Sequence, residues 1–89
     1  MMDFKGAYDL FMSNLGYDSQ VMICIEEMSE LTKELCKFSR YGNNIDNIRE
    51  ELADVFNCVE QLSYHFGYDE IQKIREFKIN RALDKINKK

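Results

Sequence analysis

The segment SQVMICIEEMSELTKELCKFSRYG, residues 19–42, decides the fold class of this chain. Its apolar residues recur every three or four positions, which is the spacing of one face of an α-helix. They are Val21, Cys24, Ile25, Met28, Leu31, Leu35 and Phe38. Either Asp18 or Ser19 is a suitable N-cap, and Gly42 occupies a position where left-handed C-terminal caps are common. The pattern predicts a long amphipathic helix that ends at Tyr41.

Two neighbouring segments show the same periodicity. Residues 3–15 carry a short apolar stripe that ends just before Gly16, which predicts a first helix. A longer stripe follows residues 43–44, with either Asp46 or Asn47 as its N-cap, and ends before Gly67. The third helix is therefore comparable in length to the second.

A last helix is predicted to begin at Asp69, which forms a capping-box pattern with Gln72. No alternation of apolar and polar residues is long enough to indicate a strand. The sequence thus predicts a single all-α domain over residues 1–89. Connections of about four to six residues make neighbouring helices antiparallel, so we expect a four-helix bundle built on a central antiparallel hairpin of the second and third helices.

Length and composition limit the classes of protein to which the chain could belong. It has 89 residues, 45% of them hydrophobic, with no proline and no tryptophan, as is typical of a helix-rich protein. A chain this short buries only somewhat more than about 60% of its unfolded surface, so we expect a homodimer or homotetramer to complete the core. No apolar run resembles a membrane span or a secretion signal, which predicts a cytoplasmic protein without a membrane partner.

The three cysteines show no metal-ligand spacing. Cys24, Cys36 and Cys58 lie within helical patterns and form neither a C-x-x-C pair nor a cysteine–histidine pair. We therefore expect buried or half-buried thiols at these positions.

Charge is distributed unevenly along the chain, whose net charge is −4. Residues 1–69 contain 13 acids and 5 bases, whereas residues 70–89 contain 3 acids and 7 bases. Proteins that bind nucleic acid usually present a broad basic face, but here the basic residues are concentrated in the last helix. DNA or RNA polymers are therefore not expected as partners.

Acidic residues on the predicted hairpin carry the main chemical signal. They are Glu26, Glu27 and Glu30 on the second helix, and Glu50, Glu51 and Asp54 on the third. Like charges three or four positions apart destabilise a helix by a few tenths of a kcal/mol per pair, and no base lies between Lys5 and Lys33 to compensate. A divalent cation would convert this repulsion into attraction, so the pattern indicates a metal site.

The ligand type selects the metal. Carboxylate oxygens favour Mg²⁺, with Mn²⁺ as a possible substitute, over zinc, and the single histidine, His65, lies about three helical turns beyond Asp54. The Glu-x-x-His pairs of di-iron bundles are absent, as is the alternating ligand pattern of an EF-hand. The opposing interpretation is a solvated acidic face, which is the usual role of a single charged run.

The motif Glu26-Glu27-x-x-Glu30, followed by Glu51-x-x-Asp54, resembles the EExxE…ExxD signature of the MazG-like, all-α nucleoside triphosphate pyrophosphohydrolases. The resemblance spans about residues 7–83. It implies a MazG-like bundle that uses Mg²⁺ to hydrolyse a nucleoside triphosphate between the α and β phosphates, giving the monophosphate and pyrophosphate. It also implies that Glu27, Glu30, Glu51 and Asp54 bind the metal. Glu26 and Glu27 are the candidate catalytic residues, with Glu26 either orienting or deprotonating water or joining the metals through an oligomer contact.

The basic last helix suits a triphosphate substrate independently of the resemblance, because Lys78 and Arg81 would offset phosphate charge. The resemblance adds Asn80 as a substrate contact. One position departs from the family pattern, since Glu76 stands where lysine is common. The remaining candidates for that phosphate contact are Lys73, Arg75 and Lys78.

Base preference and overall function leave alternatives open. Four aromatic residues either stack on a nucleobase or pack in the core, and core packing is the commoner role of aromatic residues at helical spacing. They are Tyr8, Phe11, Phe38 and Tyr41. A non-catalytic acidic interaction or regulatory module, facing a basic partner, is the alternative function. Hydrolysis of other pyrophosphate-linked compounds is a second enzymatic alternative.

Overall fold

The computed structural model describes residues 1–88, and within them it contains four α-helices and no strand. The helices are α1 (Phe4–Leu15), α2 (Tyr17–Tyr41), α3 (Ile45–Phe66) and α4 (Tyr68–Asn87). The predicted all-α fold class is confirmed. The MazG-like identity of the bundle and its completion by oligomerisation stay predictions.

The predicted starts of α2, α3 and α4 are wrong by two or three residues, because each helix begins before its proposed capping side chain. Gly16, Asn44 and Gly67 occupy the three N-cap positions, and none of them makes a side-chain capping hydrogen bond. The proposed caps Asp18 and Asp69 lie instead inside the first turn, where an acidic side chain stabilises the helix through its dipole. Asp46 lies likewise in the first turn of α3.

The connections are also shorter than the predicted four to six residues. Single glycines, Gly16 and Gly67, separate α1 from α2 and α3 from α4, and residues 42–44 join α2 to α3. Gly16 has a φ of 88° and Gly67 a φ of 112°, values that L side chains rarely adopt. Each glycine therefore reverses or redirects the chain without a longer loop.

The predicted hairpin is confirmed, because α2 and α3 run antiparallel and contact each other along their length. Three contacts fix the register. As the residue number rises along α2, the number of the residue that it contacts falls. The contacts join Gln20 to Gln61, Glu27 to Asp54 and Glu34 to Asn44.

The surface between α2 and α3 is more polar than the apolar stripes suggested. Its buried members are Gln20, Cys24, Glu34, Cys58 and Gln61. Ile25, Met28 and Leu35, which belong to the predicted stripe of α2, are instead 47%, 43% and 47% exposed. The buried face of α2 is therefore rotated by roughly 60° from the centre of its apolar stripe. An apolar face of the hairpin is left accessible.

The two terminal helices pack differently against the hairpin. α1 contacts both α2 and α3 and buries Tyr8, whose ring lies 6.2 Å from that of Tyr64. α4 contacts only α3 and has no buried residue in the described part of the chain. Its apolar side chains, among them Phe77 and Ile79, are exposed.

This arrangement gives the single chain an extended surface. Its radius of gyration is 16.1 Å, whereas a compact domain of this length would have about 12 Å. Its accessible surface is 7269 Å², against roughly 5,500 Å² for a typical folded monomer of the same mass. No helix within residues 1–88 combines the length and the apolar character needed to cross a bilayer.

Two of the three cysteines match the prediction of buried or half-buried thiols. Cys24 and Cys58 are buried, one on each helix of the hairpin, whereas Cys36 is exposed. The prediction is wrong for Cys36 because it lies on the outer side of α2, away from α3.

Candidate functional site

Three carboxylates meet across the hairpin. Glu27 from α2 and Glu51 and Asp54 from α3 each offer one oxygen, and these oxygens all lie within 4.8 Å of one another. Glu51 and Asp54 share a face of α3 because they are three residues apart, and the antiparallel register places Glu27 opposite them. Glu27 and Glu51 are half-buried and Asp54 is exposed, so the cluster opens to solvent on one side. We call these three residues the carboxylate cluster.

Burial and mutual repulsion disfavour the charged state of the cluster. Burial raises the pKa of the Glu27 carboxyl, and the nearby Asp54 carboxylate raises it further. Burial also raises the pKa of Glu51, with additional contributions from Asp54 and then Glu30. Each of these two glutamate carboxyls therefore binds its proton more tightly in the folded chain than it would alone in water.

The cluster also lacks compensating partners. Glu51 Oε2 is buried and accepts no hydrogen bond from the described residues. The three ion pairs among residues 1–88 all lie elsewhere, at Lys5–Asp9, Lys37–Glu34 and Arg49–Asp46. Lys33, the base nearest to Glu27 in the sequence, is not in that set, and Arg49, the base nearest to Glu51, pairs with Asp46. An unpaired buried carboxylate oxygen is costly unless a cation or a donor approaches it.

The two remaining acidic residues of the motif lie beside the cluster. Glu26 and Glu30 are both exposed. Glu26 is close enough for its charge to raise the pKa of Glu27, and Glu30 acts in the same way on Glu51. The structure thus brings together three of the five acidic residues predicted from the motif and places the other two at the rim.

Glu34 has a different environment, which explains its burial without a ligand. Asn44 Nδ2 donates hydrogen bonds of 2.7 Å to Glu34 Oε2 and of 2.9 Å to the Glu34 main-chain oxygen. Lys37 Nζ lies 3.7 Å from Glu34 Oε1. These contacts hold the connection between α2 and α3 against α2, and so help to fix the register that aligns the carboxylate cluster.

The predicted phosphate-binding residues are not near the cluster within one chain. Lys78, Asn80 and Arg81 are exposed on α4, which makes no contact with α2. Lys78 and Asn80 line a shallow depression on α4, while the Arg81 guanidinium lies 5.8 Å from the centre of the Phe77 ring. Their contact with a substrate at the cluster stays a prediction and would require α4 of another copy.

A cavity of about 260 Å³ adjoins the cluster and lies between α1 and the hairpin. Glu27 and Asp54 form part of its wall, so the cavity and the cluster are continuous. We call it the α1 cavity. Its other lining residues are Tyr8, Phe11, Leu15, Gln20, Ile23, Asn57, Cys58 and Gln61.

Sequence reasoning missed the three amides of this cavity, Gln20, Asn57 and Gln61. A signal was nevertheless present, since Gln20 lies seven residues before Glu27, and the other two lie three and seven residues after Asp54. Such spacings place all of them on the same helix faces as the cluster.

Of the four aromatic residues considered for base stacking, only two line the α1 cavity. Tyr8 is buried there. Its burial, and to a lesser extent its contact with Glu60, raises the pKa of its hydroxyl to about 12. Phe11 is 46% exposed at the same cavity. Phe38 and Tyr41 are exposed near the end of α2 and line no part of it.

Comparison with protein-family models, with curated proteins and with solved structures gives no match for this chain. Membership of the MazG-like family therefore stays a prediction from the motif. The carboxylate cluster and the adjoining α1 cavity are the features on which a function can be proposed.

Proposed function

We propose that this protein is a Mg²⁺-dependent nucleoside triphosphate pyrophosphohydrolase that cleaves between the α and β phosphates to release a nucleoside monophosphate and pyrophosphate. The supporting observation is the carboxylate cluster, in which three oxygens from two helices converge and one buried oxygen has no partner. The order and spacing of the acidic residues, which resemble the MazG-like signature, favour this reaction over others that use Mg²⁺.

The carboxylate cluster fits Mg²⁺ or Mn²⁺ by the chemistry of its donors. Glu27, Glu51 and Asp54 would hold the ion, and Glu30 at the rim would add a further ligand. When bound, the ion would neutralise phosphate charge and activate a water molecule for attack at phosphorus. Because the carboxylates are held on two packed helices, they would need little reorganisation to bind it. We propose that Glu26, together with Glu27, positions the attacking water and accepts its proton.

We further propose that the site is completed in a homodimer or homotetramer. The chain exposes roughly 1,800 Å² more than a typical folded monomer of its mass, and obligate homodimers commonly bury total areas of about 2,000–5,000 Å². α4 of a second copy would cover the exposed apolar face of the hairpin. Its basic character complements the acidic remainder of the chain, and it would bring Lys78, Asn80 and Arg81 to the phosphates.

The test is release of pyrophosphate from a panel of nucleoside triphosphates, with and without Mg²⁺, by the native protein and two variants. Glu51→Gln should lower turnover by about 10²–10³-fold, as expected when a preorganised electrostatic group is lost. Glu50→Gln is the matched control, because it removes an adjacent but exposed charge and should change turnover only a few-fold. Full turnover by Glu51→Gln, or no pyrophosphate from any nucleotide, would contradict the proposal.

Glu30 gives a second test of the same site. Glu30→Gln should abolish Mg²⁺-dependent turnover if the rim carboxylate is a ligand, as the motif implies. A variant with full turnover would remove Glu30 from the mechanism while leaving the three clustered carboxylates in place.

The exposed apolar face also suits the alternative of a non-catalytic interaction or regulatory module, for which large accessible apolar patches are typical. Mg²⁺ distinguishes the two functions. A metal site should raise the unfolding temperature at millimolar Mg²⁺, whereas an interaction surface should respond only to ionic strength.

A panel that includes other pyrophosphate-linked compounds tests the second enzymatic alternative. We propose a cytoplasmic location, where nucleoside triphosphates are abundant.

A further inference from the structure

We propose that the α1 cavity binds the base of a pyrimidine nucleotide. This inference rests on the proposed function, because it assigns the base of a substrate whose phosphates would lie at the carboxylate cluster. The cavity and the cluster share Glu27 and Asp54, so one nucleotide would occupy both.

The α1 cavity has room for a nucleobase. Its volume of about 260 Å³ lies just below the range of about 300–1,000 Å³ that is usual for small-molecule sites. A six-membered pyrimidine ring requires less of this volume than a fused purine. Tyr8 and Phe11 supply aromatic surface from α1, and bases stack on such rings in single-strand binding proteins.

The polarity of the α1 cavity points to a carbonyl group on the ligand. Gln20 is 5% exposed and Gln61 is 6% exposed. Gln61 Nε2 donates a 3.0 Å hydrogen bond to Gln20 Oε1, which leaves Gln20 Nε2 as a buried donor without a partner. Leaving a buried donor unsatisfied is costly, and a ligand carbonyl would recover part of that cost.

Every pyrimidine base carries the matching acceptor, a carbonyl oxygen at ring position 2. Adenine carries no carbonyl, so only its ring nitrogens could accept from the Gln20 donor. Guanine has a carbonyl, but two donors, N1–H and the 2-amino group, adjoin it, so it matches a free donor less well than the pyrimidine carbonyl does. Asn57 lines the same cavity and offers both a donor and an acceptor, so it accommodates either the amino group of cytosine or the second carbonyl of uracil.

The first experiment measures binding without phosphates or metal. Cytidine, uridine and adenosine are titrated into ¹⁵N-labelled native protein, and the side-chain amide signal of Gln20 is followed by NMR. The two pyrimidine nucleosides should shift this signal at millimolar concentration, and adenosine should shift it much less. No shift with cytidine or uridine at 10 mM, or an equal shift with adenosine, would overturn the inference.

The second experiment measures kcat/KM for pyrimidine and purine nucleoside triphosphates. The native protein should prefer pyrimidines at least tenfold. Gln20→Met should lower kcat/KM for pyrimidines about 3–10-fold, the equivalent of one hydrogen bond, and leave purines unchanged. Gln72→Met on α4 makes the same chemical change far from the cavity and should leave the ratio unaltered. An unchanged ratio in Gln20→Met, or a native preference for purines, would overturn the inference.

The two experiments separate failure of the base site from failure of the proposed reaction. If Gln20 responds to pyrimidine nucleosides but no triphosphate is hydrolysed, the base site stands and the proposed reaction is wrong. If ATP or GTP is hydrolysed best, the proposed reaction stands and the base site is wrong. Even if Gln20→Met does not fold, the preference of the native protein between pyrimidine and purine nucleotides tests the base site.

Discussion

Replacing Asp54 with asparagine should make the metal-free protein more stable, because it removes one charge from the carboxylate cluster. The ligand oxygens of Asp54 and Glu27 lie within 4.8 Å of each other. At that distance Coulomb's law gives about 0.9 kcal/mol of repulsion in water and about 3.5 kcal/mol at an effective dielectric constant near 20. Asp54 is exposed, so the lower figure is the better guide. We expect a gain of about 1 kcal/mol in the free energy of unfolding, or about 4–8 °C in Tm.

The assay is thermal unfolding followed by circular dichroism, at one fixed protein concentration, in EDTA and in MgCl₂. The native protein should gain about 1.4 kcal/mol when Mg²⁺ is present at ten times its Kd. Asp54→Asn should start from a higher Tm in EDTA and lose most of the response to Mg²⁺. The same substitution therefore has opposite effects on the metal-free and metal-bound protein.

Glu50→Gln is the control for charge alone, because Glu50 is exposed on the same helix. It should change the free energy of unfolding by no more than about 0.5 kcal/mol and keep the full Mg²⁺ response. The electrostatic reasoning is refuted if Asp54→Asn is no more stable than the native protein in EDTA. It is also refuted if both variants respond to Mg²⁺ as the native protein does.

Three further predictions concern protonation, thiol reactivity and assembly. In EDTA, Glu27→Gln should be more stable than the native protein at pH 7. The difference should shrink as the pH falls towards 4.5, the ordinary pKa of Glu27, because the raised pKa in the folded protein favours the protonated native state. Thermal unfolding across this pH range measures the difference. Cys36 should react rapidly with Ellman's reagent at pH 8, whereas Cys58, whose pKa burial raises to about 12, should react only after unfolding. Phe77→Asp should reduce the assembly mass measured by light scattering, and an unchanged mass would contradict a role for α4 in assembly.

The sequence was sufficient to predict the hairpin and the convergence of the carboxylates. The spacing of Glu51 and Asp54 puts them on one face of α3, and an antiparallel partner helix brings Glu27 to the same level. Helix starts were less predictable. Positive φ values at Gly16 and Gly67 allow one-residue connections, so the chain needs neither the longer loops nor the side-chain caps that the local sequence suggested.

Two other features could not be read from apolar periodicity. The stripe containing Ile25 and Met28 is real, but within one chain much of it is exposed, because periodicity shows that a face is apolar and not what covers it. Gln20 and Gln61 were missed for the converse reason. Polar residues between apolar ones are normally assigned to solvent, and their burial depends on a mutual hydrogen bond across two helices that one-dimensional patterns do not reveal.

The single glycine between α3 and α4 has a consequence for how the chain tolerates length changes. A Cβ at Gly67 would approach the Glu70 carboxylate, and the φ of 112° would strain any L side chain. Inserting one residue in the first turn of the twenty-residue helix α4 would rotate the rest of that helix by about 100° and advance it by about 1.5 Å. The side chains of α4 would then face a different direction relative to α3. We expect an insertion at Gly67 to redirect α4 while leaving the hairpin and its carboxylate cluster in place, since α4 contacts only α3.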